Sequence, residues 1–142
     1  MNSFIFTVSL ALISLINSQN QVKWVSFDEA QEFAKSEPRK VFVDIYADWC
    51  GWCKVMDRKT FSNKNVANYI NENYYAVRVD AESNNLITFN GKQLTEKQFV
   101  QSLNVSGLPT IVFIDENFKK VKPVTGYQDA KQFLKSLQKF NK

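Results

Sequence analysis

Histidine is absent from all 142 residues. That removes Ser–His–Asp and Cys–His nucleophile pairs, imidazole general bases and His-ligated metals. Cysteine is scarce as well, with only Cys50 and Cys53. Two cysteines without histidine cannot complete a four-ligand zinc site within one chain. Internal repeats, low-complexity tracts and interdomain linkers are missing. So are basic blocks, although the formal charge is +4. The lysines are scattered, with doublets such as Lys119–Lys120, and nucleic acid is not an expected partner. What is present is ordinary globular composition, 44% hydrophobic and 23% charged, in a length that suits one domain with one real core.

The first eighteen residues, MNSFIFTVSLALISLINS, carry no charge. Phe4 to Ile16 is a 13-residue apolar stretch. It is shorter than the roughly 20 residues of a transmembrane helix and matches the h-region of a signal peptide. Ile16 and Ser18 suit the −3 and −1 positions of a cleavage site. The expected division is a signal peptide at 1–18 and a domain at 19–142 that holds every charge of the chain. A buried N-terminal helix and an uncleaved anchor are the alternatives. Export would take the protein to a compartment where disulfides form.

Downstream, Ser26 and Glu29 form a capping box for a helix to Ser36, with Phe27, Ala30, Phe33 and Ala34 as its apolar face. Pro38 ends it. VFVDIYA is a continuous β-branched run, the pattern of a strand buried on both faces. A helix is expected to open at the cysteines and run through CKVMDRKTF, and Ser62 to cap another over NKNVANYINENY. YAVRV reads as a second central strand ending at Asp80. ITFNGKQL reads as a hairpin around Asn90–Gly91, because a type I′ turn needs positive φ at both central residues. Thr95 and Gln98 form a second capping box before EKQFVQSLN. PTIVFID is a third buried strand, VKPVTG an edge strand that tolerates Pro123, and DAKQFLKSLQKF a closing amphipathic helix. Strands alternating with helices predict an α/β sheet with helices on both faces.

CxxC spacing leaves three readings of Cys50 and Cys53. They could be half of a metal site shared with another chain, a structural disulfide, or a redox pair. A bridge over so small a loop constrains the unfolded chain little. A strand leading into CxxC at a helix start favours a thiolate on Cys50, because free helix N–H groups and the helix dipole face it. The redox reading is therefore preferred.

VDIYADWCGWCK resembles the active-site segment of the thioredoxin superfamily, with its strand aspartate, aromatic–Ala pair and W-C-x-x-C-K. GLPTIVFID at 107–115 is similar to that family's cis-proline loop and following strand, and Gly126 stands before the last helix. The resemblance covers Trp24 to the C terminus. Its nearest flavour is the exported thioredoxin-like group with DxYADWCGWCK and an NGK hairpin.

The resemblance implies a thioredoxin fold, with a central mixed sheet. It implies a thiol-disulfide oxidoreductase acting mainly as a reductase of envelope proteins, periplasmic or secreted after cleavage. Cys50 would be the attacking nucleophile and Cys53 the resolving thiol, with no cofactor beyond their redox-active disulfide. Asp44 would sit buried beneath the pair and take the resolving thiol's proton. Pro109 would be cis, holding Leu108 beside the sulfurs to pair with an extended substrate. Trp49, Gly51 and Trp52 complete the expected substrate surface, and Lys54 adds charge near the thiolate or lies on the helix surface. A membrane thiol-electron carrier would recharge the pair, and a monomer is expected. An oxidase or isomerase on the same site, and a non-catalytic peptide-binding module, are the rival functions. Two departures from ordinary thioredoxins stand out. Gly51–Trp52 replaces Gly-Pro between the cysteines, which unsettles the redox poise, and the segment from Asp80 to Gly107 is longer.

Overall fold

The computed structural model describes residues 20–142; the expected signal peptide at 1–18 lies outside the described residues. Thirteen segments follow in order: β1 Trp24–Val25, α1 Phe27–Ser36, β2 Lys40–Tyr46, α2 Gly51–Met56 with a π-helical continuation Asp57–Phe61, α3 Lys64–Asn73, β3 Tyr74–Asp80, β4 Leu86–Phe89, β5 Lys92–Thr95, α4 Glu96–Ser102, β6 Thr110–Ile114, β7 Val121–Thr125 and α5 Ala130–Phe140. Five strands form one sheet in the order β1-β3-β2-β6-β7, and β4 and β5 pair separately. β1, β3 and β2 run parallel, while β6 and β7 pair antiparallel, so the sheet is mixed. This is a thioredoxin fold.

Strand alternation divides the core in two. Val41, Val43 and Ile45 of β2 pack with Val112 and Ile114 of β6 against α1 and α4, through Phe27, Ala30, Phe99 and Val100. Phe42 of β2 and Ile111 and Phe113 of β6 face the other way, against Met56, Phe61, Val66, Ile70, Phe133 and Leu137 of α2, α3 and α5. Helices therefore cover both faces, and β2 is buried along both, as its continuous apolar run predicts. Phe42 is the hub of the second cluster, with its ring 5.6 Å from both Trp24 and Phe133.

Both expected capping boxes form, Ser26 with Glu29 and Thr95 with Gln98, and Asp129 with Gln132 adds a third before α5. Asn90 and Gly91 have φ of 50° and 76°, the pair of positive values a type I′ turn requires. Pro123 sits in β7, at the sheet edge.

Four expectations change. Asn63, not Ser62, caps α3: its Oδ1 accepts the N–H groups of Asn65 and Val66 at 3.0 and 3.2 Å. Ser62 instead donates its hydroxyl to Arg58 O, within the preceding turn. Phe33 is 43% exposed and leaves the apolar face of α1, lying against Tyr75 with ring centroids 5.8 Å apart. The helix after the cysteines widens at Asp57–Phe61 into π geometry, and Thr60 and Phe61 are both buried there, Thr60 donating to Gln128 O at 2.6 Å. Five of the lysines gather in space. Lys40, Lys119, Lys120, Lys122 and Lys142 outnumber Asp115 and Glu116 in the lining of a groove of about 700 Å³, with Phe113 and Phe140, at the sheet end where β2 begins.

Candidate active site at the Cys50–Cys53 pair

β2 ends at Tyr46, and four residues bring the chain to Cys50, whose N–H donates to Ala47 O at 3.0 Å. Cys50 is extended and caps α2, its Sγ accepting the Cys53 N–H at 3.1 Å. A sulfur so placed meets one of the unpaired donors that open every helix, the arrangement that lowers a thiol's pKa. A disulfide joins Cys50 to Cys53, with Cα atoms 5.3 Å apart. Both cysteines are buried, at 4% and 5% exposure.

The rim is aromatic. Trp49 is 67% exposed, and its indole N–H donates to Glu82 Oε1 at 2.9 Å. Trp52 is 59% exposed and leans on Tyr127, with ring centroids 5.0 Å apart. Gly51 is exposed, and a side-chain carbon there would meet nothing within 4 Å. Lys54 lies exposed on α2.

The Leu108–Pro109 bond is cis. Thr110, the next residue, pairs with Ile45 near the end of β2, so Pro109 stands at the same end of the sheet as the cysteines. Pro109 O accepts the Gly126 N–H at 2.8 Å. Gly126 has φ 112°, a left-handed value that favours glycine at that turn. Leu108 is half-buried against the α1–α4 core.

Asp44 is 2% exposed, on the same strand face as Phe42 and so toward α2. Burial pushes its carboxyl up to about 6, and Arg78 opposes that rise. Arg78 is the strand partner of Asp44, and its Nε lies 3.4 Å from Asp44 Oδ2. The same guanidinium pairs with Asp57 and sits 4.5 Å from the Trp24 ring centroid. Arg78 thus ties β1, β2, β3 and the π-helical turn together around the buried carboxylate. Sequence reasoning missed Arg78 and Asp57, although a lone arginine inside YAVRV parallels the lone aspartate inside VFVDIYA. Glu82 and Tyr127 were missed too, and their spacing from the cysteines carries no signal. Among the described residues, no three Cys, Asp or Glu side chains gather as a metal site, and no helix is long and apolar enough to cross a membrane.

The profile of the thioredoxin-like domain matches residues 27–141. The chain is 33% identical over 129 residues to the thiol:disulfide interchange protein DsbD of Yersinia pestis, an alignment covering 84% of this chain and 20% of that protein. The chain thus spans about a fifth of the length of that relative. Among solved structures, it superposes on a thioredoxin from Thermus thermophilus with a TM-score of 0.66 at 21% identity, covering 84% of this chain and 86% of the other. The Neisseria meningitidis DsbD C-terminal domain in its oxidised form gives 0.61 at 20% identity, covering 79% and 90%. The profile spans nearly all of the described residues, the CxxC disulfide among them: the chain belongs to the thioredoxin-like domain family.

Proposed function

We propose that this protein is a thiol-disulfide oxidoreductase that reduces protein disulfides in the cell envelope through Cys50 and Cys53. One observation carries the reading: Cys50 Sγ accepts a helix-opening N–H, and its partner sulfur is three residues along the same helix. In the reduced protein that N–H stabilises a Cys50 thiolate. The thiolate attacks one sulfur of a substrate disulfide. The substrate S–S bond breaks, and the departing thiolate takes up a proton. Cys53 then loses its proton and attacks Cys50, closing the Cys50–Cys53 bridge and releasing the second substrate thiol. Two electrons and two protons pass to the substrate. Asp44, held near neutral pH by burial, is suited to accept the Cys53 proton. Pro109 and Leu108 offer backbone for an extended substrate, beside Trp49, Gly51 and Trp52. A membrane thiol-electron carrier would return the electrons, and residues 1–18 would direct export before removal.

Capture of substrates tests this mechanism. Cys53→Ala removes the intramolecular attack that keeps the mixed disulfide short-lived. Substrate adducts on Cys50 should then accumulate on non-reducing gels, and Cys50→Ala should give none. A Cys53→Ala protein that traps no more than the double-alanine control would rule out the mechanism. An oxidase would use the same atoms in reverse. A measured potential nearer about −270 mV than about −120 mV assigns the reductase direction.

A further inference from the structure

Among the described residues, four large apolar side chains are exposed: Phe33, Trp49, Trp52 and Leu86. Two of the four directly precede the redox cysteines. An aromatic surface left in water beside a reactive bond marks a contact site for a partner. Neither tryptophan is loose, however. Trp49 is tied by its indole N–H to Glu82, two residues beyond the end of β3. Trp52 rests on Tyr127, two residues beyond the end of β7. In the sheet order β3 lies on one side of β2 and β7 on the other, beyond β6. The two indoles are therefore drawn to opposite sides of the strand that delivers the cysteines. Tyr127 is itself fixed, because the neighbouring Gly126 donates its N–H to Pro109 O at 2.8 Å and turns the chain with φ 112°. The cis-proline loop, Tyr127 and Trp52 form one connected wall.

We propose that Tyr127 and Glu82 are positioning residues, which hold Trp52 and Trp49 as the two sides of an aromatic slot. The slot selects substrate segments with an aromatic or aliphatic residue next to the cysteine under attack. This rests on the oxidoreductase reading and adds the substrate class. Side chains fixed before binding lose little freedom when a partner arrives, so their contact surface converts more fully into affinity. Indole faces reward an apolar neighbour, most of all an aromatic one. The carboxylates of the rim, Asp48 and Glu82, are both exposed and repel acidic segments.

The test uses the full chain, kept reduced during turnover by excess dithiol whose own reaction is subtracted, and three substrates. Two are disulfide-bonded peptides that differ only in Phe or Ser beside the cysteine. The third, hydroxyethyl disulfide, has no flanking residues. The readout is the ratio of kcat/KM for the Phe and Ser peptides. The wild type should favour Phe by roughly three- to tenfold, chiefly through KM. Tyr127→Ala and Trp52→Ala should each bring the ratio to about one, and the double variant no further, because Tyr127 acts through Trp52. Tyr127→Phe, which keeps the ring, should retain the preference. Glu82→Ala should lower the ratio, and Glu82→Gln should preserve it, since an amide oxygen still accepts the indole N–H. A ratio that survives Tyr127→Ala overturns the positioning role. A wild type that reduces hydroxyethyl disulfide yet treats both peptides alike overturns the slot alone. One inert toward hydroxyethyl disulfide overturns the oxidoreductase reading, and the slot with it.

Discussion

Asp44 loses its water when β2 packs beneath α2, and the nearby Arg78 guanidinium offsets only part of that loss. The carboxyl titrates at about 6 in the native protein, against an ordinary value of 3.8. The folded state therefore holds this proton more tightly than the unfolded chain. Stability tied to Asp44 is complete below pH about 4 and disappears as the pH rises through about 6. Asp44→Asn stays neutral throughout, so its stability relative to wild type should climb by about 2–3 kcal/mol between pH 4 and pH 7.5. Urea melts at the two pH values measure this, and a difference independent of pH would contradict the burial argument. Arg78→Met removes the charge that holds Asp44 down, so the acid limb of the rate profile should move to higher pH. An unmoved limb would detach Arg78 from the chemistry. At this scale the burial of Asp44 was legible from the apolar run around it and the cysteine pair from its spacing, whereas the cis bond at Pro109 was expected only through the family resemblance. Arg78, Asp57, Glu82 and Tyr127 were not singled out. Their contacts cross 21 to 75 positions of sequence, and only the fold makes them neighbours.

Caps and turns were the most legible elements, since a capping box is a contact between residues three apart. Ser26 with Glu29 and Thr95 with Gln98 formed as their spacing predicts. The one cap misplaced by a residue, Ser62 for Asn63, shows what spacing leaves out: both side chains can cap, and the π-helical turn decides. That turn brings the Ser62 hydroxyl back onto Arg58 O and leaves Asn63 at the boundary. Asn63→Ala should cost about 1 kcal/mol by thermal or urea unfolding, and Ser62→Ala less than half of that. Equal costs would return the cap to Ser62. β1 had no local signature at all. Two residues do not show a strand period, and Trp24–Val25 exists as a strand only through its pairing with Ala76 and Val77 of β3. Phe33 fitted the helical period of α1 yet is exposed: it stands about 100° round the helix from the buried Ala34, at the margin of the apolar face, and lies against Tyr75.

The whole molecule has two cores that share β2, so neither can melt while the other stays intact. Phe42→Ala should destabilise by about 3–5 kcal/mol, and Val41→Ala should loosen the opposite face within the same transition. Coincident unfolding curves from tryptophan fluorescence and circular dichroism check this, and two separated transitions would contradict a shared strand. The two helical faces were readable from the alternation of strands with helices and from continuous apolar runs, whereas the strand order, with β1 at one edge, was not. Nor was the lysine-lined groove, because Lys40 meets Lys119, Lys120, Lys122 and Lys142 only after folding. Residues 119–142 hold seven lysines and a single carboxylate. The rest of the chain, active-site rim included, holds more acidic groups than basic ones. A bead or electrode bearing negative charge should therefore seize this protein by its lysine-lined groove, at the end of the sheet away from the disulfide. Adsorbed that way, the molecules stand with Cys50 turned outward, and a layer of them would keep its reactivity without chemical tethering.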